Sequence, residues 1–189
     1  MTGDCYWCKE HGHIGSECPK RHRKLAHEVE NQTDDGIRMI YDDVVDHFGD
    51  GAVFVELGCF QGGSGIHLAQ RIQESGKKQT LYCVDLWENT IGIKDGHGVD
   101  GSIFHEFYNN VLASMTEQII RPIMFDSSRA AQMFLDRSVD FVYVDADHSY
   151  EKCWDDIVSW MPKLKINGWI AGHDYNGAVE KCVQNIFGQ

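Results

Sequence analysis

Apolar residues recur at two spacings along this 189-residue chain, and the two spacings alternate. Ile37, Ile40, Tyr41, Val44, Val45 and Phe48 fall at steps of three and four, one face of a helix. Val53, Phe54, Val55, Glu56 and Leu57 follow as a short buried-strand run ended by Gly58. A helix over residues 64–75 comes next, with Ile66, Ala69 and Ile72 inward and Gly76 as its C-terminal stop. Residues 81–85 read as a second strand, and Phe104, Phe107, Tyr108, Val111, Leu112 and Met115 as another helical stripe. A third strand is predicted near 122–125, then a helix opening at Ser127 or Ser128, whose hydroxyls suit an N-cap. The fourth strand is 141–144. Tyr150, Cys153, Trp154, Ile157, Val158 and Met161 make the next helix, closed by Pro162. A fifth strand covers 169–171, and Val179, Cys182, Val183 and Ile186 form the last helix. Strict alternation of β and α units predicts a Rossmann-like, doubly wound, mostly parallel sheet with helices on both faces.

Composition narrows the setting. Hydrophobic content is 42% and no apolar run nears the ~18 residues of a membrane span, so no membrane partner is expected. The N-terminus is polar and no secretion signal is visible in it. Seven cysteines without such a signal point to a reducing, cytoplasmic compartment, with thiols in the core or on metal. Cys59, Cys83, Cys153 and Cys182 lie on the apolar stripes and are assigned to the core. The net charge of −12 is uneven. Residues 1–24 hold five basic and three acidic side chains, while the rest holds 12 basic and 26 acidic ones. The acidic body repels phosphate, so any contact with RNA or single-stranded DNA would begin in residues 5–24. One glycine-rich stretch, 88–101, carries Asp95, His97 and Asp100 and reads either as a mobile loop over a site or as a solvated connector.

Two segments carry chemistry. In the first, Cys5, Cys8, His13 and Cys18 stand at the spacing Cys-x2-Cys-x4-His-x4-Cys. Three thiolates and one imidazole close a tetrahedral, structural Zn2+ site, and metal binding would supply the folding free energy of so short a segment. The pattern resembles the zinc knuckle family of single-strand nucleic-acid binders. That resemblance implies a small domain over 1–24, with Tyr6 and Trp7 stacking on bases and the basic run 20–24 on phosphates. Knuckles also serve as protein-contact modules.

The second segment lies in the body. Gly58 and Gly62 belong to a glycine-rich turn after the first strand, where backbone can approach a ligand and a helix N-terminus favours polar groups. Asp85 ends the second strand, where an acidic side chain can accept ribose hydroxyls. Together they suggest an adenosine-type cofactor, with a nicotinamide enzyme as the rival. Two blocks follow the fourth and fifth strands: Asp145-Ala146-Asp147-His148, and His173-Asp174. Strand ends that present carboxylate and imidazole together are where open α/β sheets keep their chemistry.

Residues 56–64, 84–87 and 126–127, with 139–175, are similar to class I S-adenosylmethionine-dependent methyltransferases. The last stretch looks like the metal-dependent O-methyltransferases related to catechol, macrocin and sugar methyltransferases. The resemblance covers residues 34–189. It implies that Glu56 and the turn from Gly58 to Gly62 face the methionine moiety, that Asp85 holds the ribose, and that Asp126 and Ser127 flank the adenine. It further implies Mg2+ or Mn2+ on Asp145, His173 and Asp174, and His148 as general base. Asp147 is assigned to orienting a ligand and Tyr150 to the core. His173 departs from the carboxylate usual in relatives, and imidazole suits Mn2+, Fe2+ or Zn2+ better than Mg2+. The class I sheet also has two further edge strands beyond the helix near 176–187, which are not found before Gln189; a hydrophobic edge could then be exposed, and a truncated sequence, a natural minimal form and completion of the sheet by oligomerisation all stay open.

The leading expectation is an O-methyltransferase acting on a hydroxyl of a sugar or other small metabolite. An RNA or single-stranded nucleic-acid methyltransferase fed by the knuckle is the alternative. Base N-methylation and cytosine C5 chemistry are disfavoured, since no Asn/Asp-Pro-Pro-aromatic motif and no Pro-Cys nucleophile are present. A third reading is a non-catalytic binding protein that keeps the cofactor fold.

Overall fold

A computed structural model describes residues 34–87 and 103–188. Cys5, Cys8, His13, Cys18 and the stretch 88–101 lie outside the described residues, apart from which the elements follow in the expected order. They are α1 (Asp34–His47), β1 (Val53–Leu57), α2 (Gly63–Ser75), β2 (Thr80–Asp85), α3 (Ile103–Ala113), β3 (Ile120–Met124) and a one-turn α4 (Ser127–Ala130). Then come β4 (Val139–Val144), α5 (Tyr150–Trp160), β5 (Leu164–Gly172) and α6 (Gly177–Phe187).

The five strands are all parallel and lie in the order β3-β2-β1-β4-β5. Strand alternation divides their side chains between two cores. Phe54, Leu81, Cys83, Phe141 and Tyr143 face α1, α2 and α3, together with Tyr41, Leu68 and Phe107. Val55, Leu57, Val84, Val142 and Ile170 face α4, α5 and α6, together with Ile157, Trp160 and Cys182. Cys59, Cys83, Cys153 and Cys182 are free and buried. Among the described residues no helix is long and apolar enough to cross a membrane.

Three local readings are corrected. The cap of α4 is Asp126, whose Oδ1 accepts from the Arg129 amide at 3.0 Å; a carboxylate one residue earlier replaces the serine hydroxyls. The fifth strand begins at Leu164 rather than near Trp169. Asn167 and Gly168 interrupt the β-type pattern of its first half. The ladder passes them through a register irregularity, with Asn167 in the left-handed region at φ 67°. The stripe of α3 buries only Phe107 and Val111, leaving Tyr108, Leu112 and Met115 exposed.

The order β3-β2-β1-β4-β5 places a topological switch between β1 and β4. The chain runs outward through β2 and β3, then returns to pair β4 with β1. Connections leave in opposite directions there, so a crevice opens beyond the carboxyl ends of these two strands.

Candidate functional site

At the switch the backbones of two turns touch. The Asp145 amide donates to the Leu57 carbonyl at 2.9 Å, and the Gly58 amide to the Val84 carbonyl at 2.9 Å. Gly58 has φ +83°, and a Cβ there would overlap the Asp145 carbonyl. Only glycine meets both demands.

Asp85 organises the floor of the crevice. Its Oδ2 accepts from the amides of Cys59 at 2.8 Å and Phe60 at 2.9 Å, and its Oδ1 from the Trp87 amide at 2.8 Å. Trp87 returns an indole N–H to the Phe60 carbonyl at 2.8 Å. Phe60 and Trp87 both sit at φ 45°, a conformation that L-residues rarely adopt. The three hydrogen bonds hold the two aromatic residues there. A carboxylate offers about four acceptor directions, so one remains on Asp85.

The resulting cleft has a volume of about 370 Å³, within the range of small-molecule sites. Phe60, Leu86, Trp87 and Ile103 supply apolar wall, while Gly58, Asp85, Ser127 and Asp145 supply polar groups. The sequence pattern assigns Phe60 and Leu86 no role apart from the stretches that contain them. The feature that marks Phe60, a left-handed backbone, has no signature in composition or periodicity.

Glu56, expected to face the methionine moiety, is not among the residues that line the cleft. Strand alternation turns it toward α1 and α2, where it is wholly buried. The Tyr41 hydroxyl donates to it at 2.9 Å, and the Ser64 hydroxyl from the first turn of α2 donates to the same oxygen. Burial outweighs these donors and pushes the Glu56 carboxyl up to about 7. It therefore ties α1, β1 and α2 together behind the turn. Gly62 starts α2, where a Cβ would press on the Phe107 ring at 2.9 Å. Asp126 accepts from Ser128, Arg129 and Lys152, so its carboxylate serves the start of α4. Of the expected cofactor residues, Gly58, Asp85 and Ser127 line the cleft.

The two acidic-histidine blocks, separated in sequence, converge because β4 and β5 are neighbours. His148 Nε2 lies 3.3 Å from Asp145 Oδ1, and its Nδ1 lies 3.2 Å from Asp174 Oδ2. His173 Nδ1 is 3.3 Å from Asp174 Oδ2 and 3.7 Å from Asp145 Oδ1. Asp174 takes φ 52° to reach this position. The hydrogen bond to Asp145 lifts the His148 imidazole above its ordinary range against the effect of partial burial, and the charge of Asp174 adds to the lift.

Asp147 instead accepts from the Ser149 amide at 2.8 Å and braces the loop before α5. Tyr150 is half-buried, and its hydroxyl accepts from Asn185 at 3.0 Å. Tyr41 and Tyr143 pack edge to face beneath the site at 5.2 Å, and burial pushes both phenols well up. Neither can serve as a base near neutrality.

This set can hold and relay a proton between an imidazole and two carboxylates. Ligand atoms of Asp145, His148 and Asp174 lie within 4.8 Å of one another, which also fits a divalent cation. His173, expected as a ligand of that cation, stands beside the same two carboxylates.

A family model described as a methyltransferase domain matches residues 55–175. Over 122 residues, 64% of its length, the chain is 28% identical to the protein y4gI of Sinorhizobium fredii, and it spans 13% of that relative's length. Its fold is similar to an rRNA methylase of Streptococcus thermophilus, with a TM-score of 0.59 and 11% identity, covering 80% of this chain and 78% of that one. It is also similar to geranyl diphosphate C-methyltransferase of Streptomyces coelicolor, with a TM-score of 0.55 and 13% identity, covering 91% and 56%. That structure holds Mg2+, geranyl diphosphate and S-adenosyl-L-homocysteine.

Proposed function

The chain belongs to the methyltransferase-domain family, and on that premise we propose that it transfers a methyl group from S-adenosylmethionine to a hydroxyl of a sugar or other small metabolite. The observation that carries this reading is the position of Asp145. It lines the cleft and also contacts the His148 imidazole, so the cofactor cleft borders the acidic-histidine cluster.

The cleft fits the cofactor's chemistry. Phe60, Leu86, Trp87 and Ile103 offer apolar surface to a flat base, and Asp85 keeps one acceptor direction for a ribose hydroxyl. Ser127 lines the same cleft at the start of α4. Bound there, S-adenosylmethionine supplies a methyl group on a sulfonium, an electrophile that needs no further activation. The protein's remaining tasks are orientation and deprotonation. His148 in its neutral form takes the hydroxyl proton at the ring nitrogen that the substrate draws away from one carboxylate, and the carboxylate on the other nitrogen stabilises the imidazolium that results. The same carboxylates raise the imidazole's basicity, so transfer rises with pH as His148 loses its resting proton.

A second reading draws on the tight grouping of Asp145, His148 and Asp174. These residues would hold a divalent cation that polarises the hydroxyl as a Lewis acid, and their imidazole favours Mn2+, Fe2+ or Zn2+. Chelation separates the two. Transfer that survives EDTA supports His148 as the base, and transfer restored only by added Mn2+ supports the cation.

Labelled-methyl transfer onto separated pools of small glycans, small hydroxy acids, RNA and single-stranded DNA tests the main reading. Label in the small-molecule pools, lost in Asp145→Ala while S-adenosylhomocysteine still binds, is expected. Label confined to RNA or DNA would overturn the acceptor class. Calorimetry showing no S-adenosylhomocysteine binding would favour a non-catalytic protein.

A further inference from the structure

Beside the His148 cluster lies a second hollow, between β4, β5, α5 and α6, with a volume of about 60 Å³. Ile157, Ile170, Val179 and Val183 form its body, while Asp147, His148 and His173 stand around it as charged or titratable members and the buried Tyr175 adds a mainly apolar ring. His148 and Asp147 are exposed and Ile157, Ile170 and Val179 are buried, so the polar groups form the rim and the apolar ones the base. Ala146 lines both this hollow and the cofactor cleft. A molecule with a hydroxyl at the rim would therefore place whatever is attached beside it into an apolar recess.

Size and polarity limit what that group can be. A cavity of about 150 Å³ is what a benzene ring occupies, and a single water needs roughly 10–15 Å³. A recess of about 60 Å³ is too small for an aromatic ring and large enough for a short alkyl group. A buried hydroxyl without a partner costs about 1–3 kcal/mol, which disfavours the polyol edge of a sugar.

Resting on the methyl-transfer reading above, we infer that the recess receives an alkyl arm of one to three carbons next to the reacting hydroxyl. The preferred acceptors are then deoxy sugars or branched aliphatic hydroxy acids. Fully hydroxylated sugars and phenols are disfavoured.

Matched pairs test this with the full chain. Methyl glycosides of 6-deoxyhexoses are compared with those of the parent hexoses in the gluco, galacto and manno series, 2-hydroxy-3-methylbutyrate with glycolate, and catechol stands alone. In at least one pair the alkyl-bearing member should be preferred by about tenfold or more in kcat/KM, the lower end of what one buried methylene gives. Val183→Trp should erase that preference with S-adenosylhomocysteine affinity unchanged. Val183→Ala, which enlarges the recess and spares the fold, should shift the preference toward an arm one carbon longer. Equal use of both members in every pair, preference for catechol, or no transfer to any acceptor while S-adenosylhomocysteine binds would overturn the inference. Failure to bind S-adenosylhomocysteine at all would instead remove the methyl-transfer reading itself, and the inference with it.

Discussion

Replacing Glu56 by Gln should make the protein more stable at alkaline pH and leave it nearly unchanged at acid pH. Glu56 is wholly buried, and its carboxyl is pushed from 4.5 up to about 7. Below pH 4.5 the folded and unfolded states both carry the proton, and the group costs nothing. Between 4.5 and 7 the unfolded chain releases its proton while the native state keeps it, so stability falls as pH rises. Above 7 both states are ionised and the loss is complete. Each unit of pKa difference is worth about 1.4 kcal/mol, so the full loss is about 3 kcal/mol. Glutamine cannot ionise and keeps an acceptor for Tyr41 and Ser64. The sequence pI of about 5.1 makes pH 5.5 a practical lower limit. From there to pH 8.5 about 2 kcal/mol of the change remains to be read. Urea unfolding followed by tryptophan fluorescence, with wild type and Glu56→Gln compared at pH 5.5, 7 and 8.5, supplies the difference, in which all other titrating groups cancel. A stability difference between the two proteins that does not vary with pH would refute the reasoning.

Other sites offer independent checks. Gly58→Ala combines a left-handed backbone with overlap onto the Asp145 carbonyl and should cost roughly 3 kcal/mol or more, whereas Gly51→Ala, at φ +79° with nothing within 4 Å, should cost only about 1–2 kcal/mol; equal melting temperatures for the two variants would count against the contact. Burial pushes the Asp156 carboxyl from 3.8 up to about 6, so Asp156→Asn should gain about 3 kcal/mol above pH 7 and nothing below pH 4, measured by the same unfolding assay. Asp145→Asn removes the carboxylate charge behind the hydrogen bond that chiefly lifts His148, so the acid limb of the pH–rate profile should move to lower pH while kcat falls. An acid limb that stays in place would show that another group sets it.

Which parts were legible in the chain follows from how far apart the interacting groups lie. Residues 53–57 announced β1 through a short apolar run broken only by Glu56, and Gly76 announced the end of α2, because both depend on neighbours within a few positions. Glycine at 58 and 62 was visible as a turn for the same reason. The direction in which Glu56 points was not, since it depends on which face of the strand meets α1. That Asp126 caps α4 was not legible either, because the neighbouring serines offer the same N-cap chemistry and the choice among them depends on the local backbone. The polar Asn167 and Gly168 hid half of β5, whose partner Val139 is remote in sequence.

The sequence by itself determined the alternation of strands and helices, the glycine turn, and the presence of two acidic-histidine blocks, all of which are written in local spacing. Tertiary structure alone decided that β4 returns beside β1, which sets Asp145 over Gly58 and brings His148 between Asp145 and Asp174. It also decided that Asp85 spends three hydrogen bonds on the backbone of Cys59, Phe60 and Trp87, and that a small apolar recess opens beside the imidazole. Pairing between remote strands is fixed by the summed burial of two cores. No single stretch of the chain carries that sum.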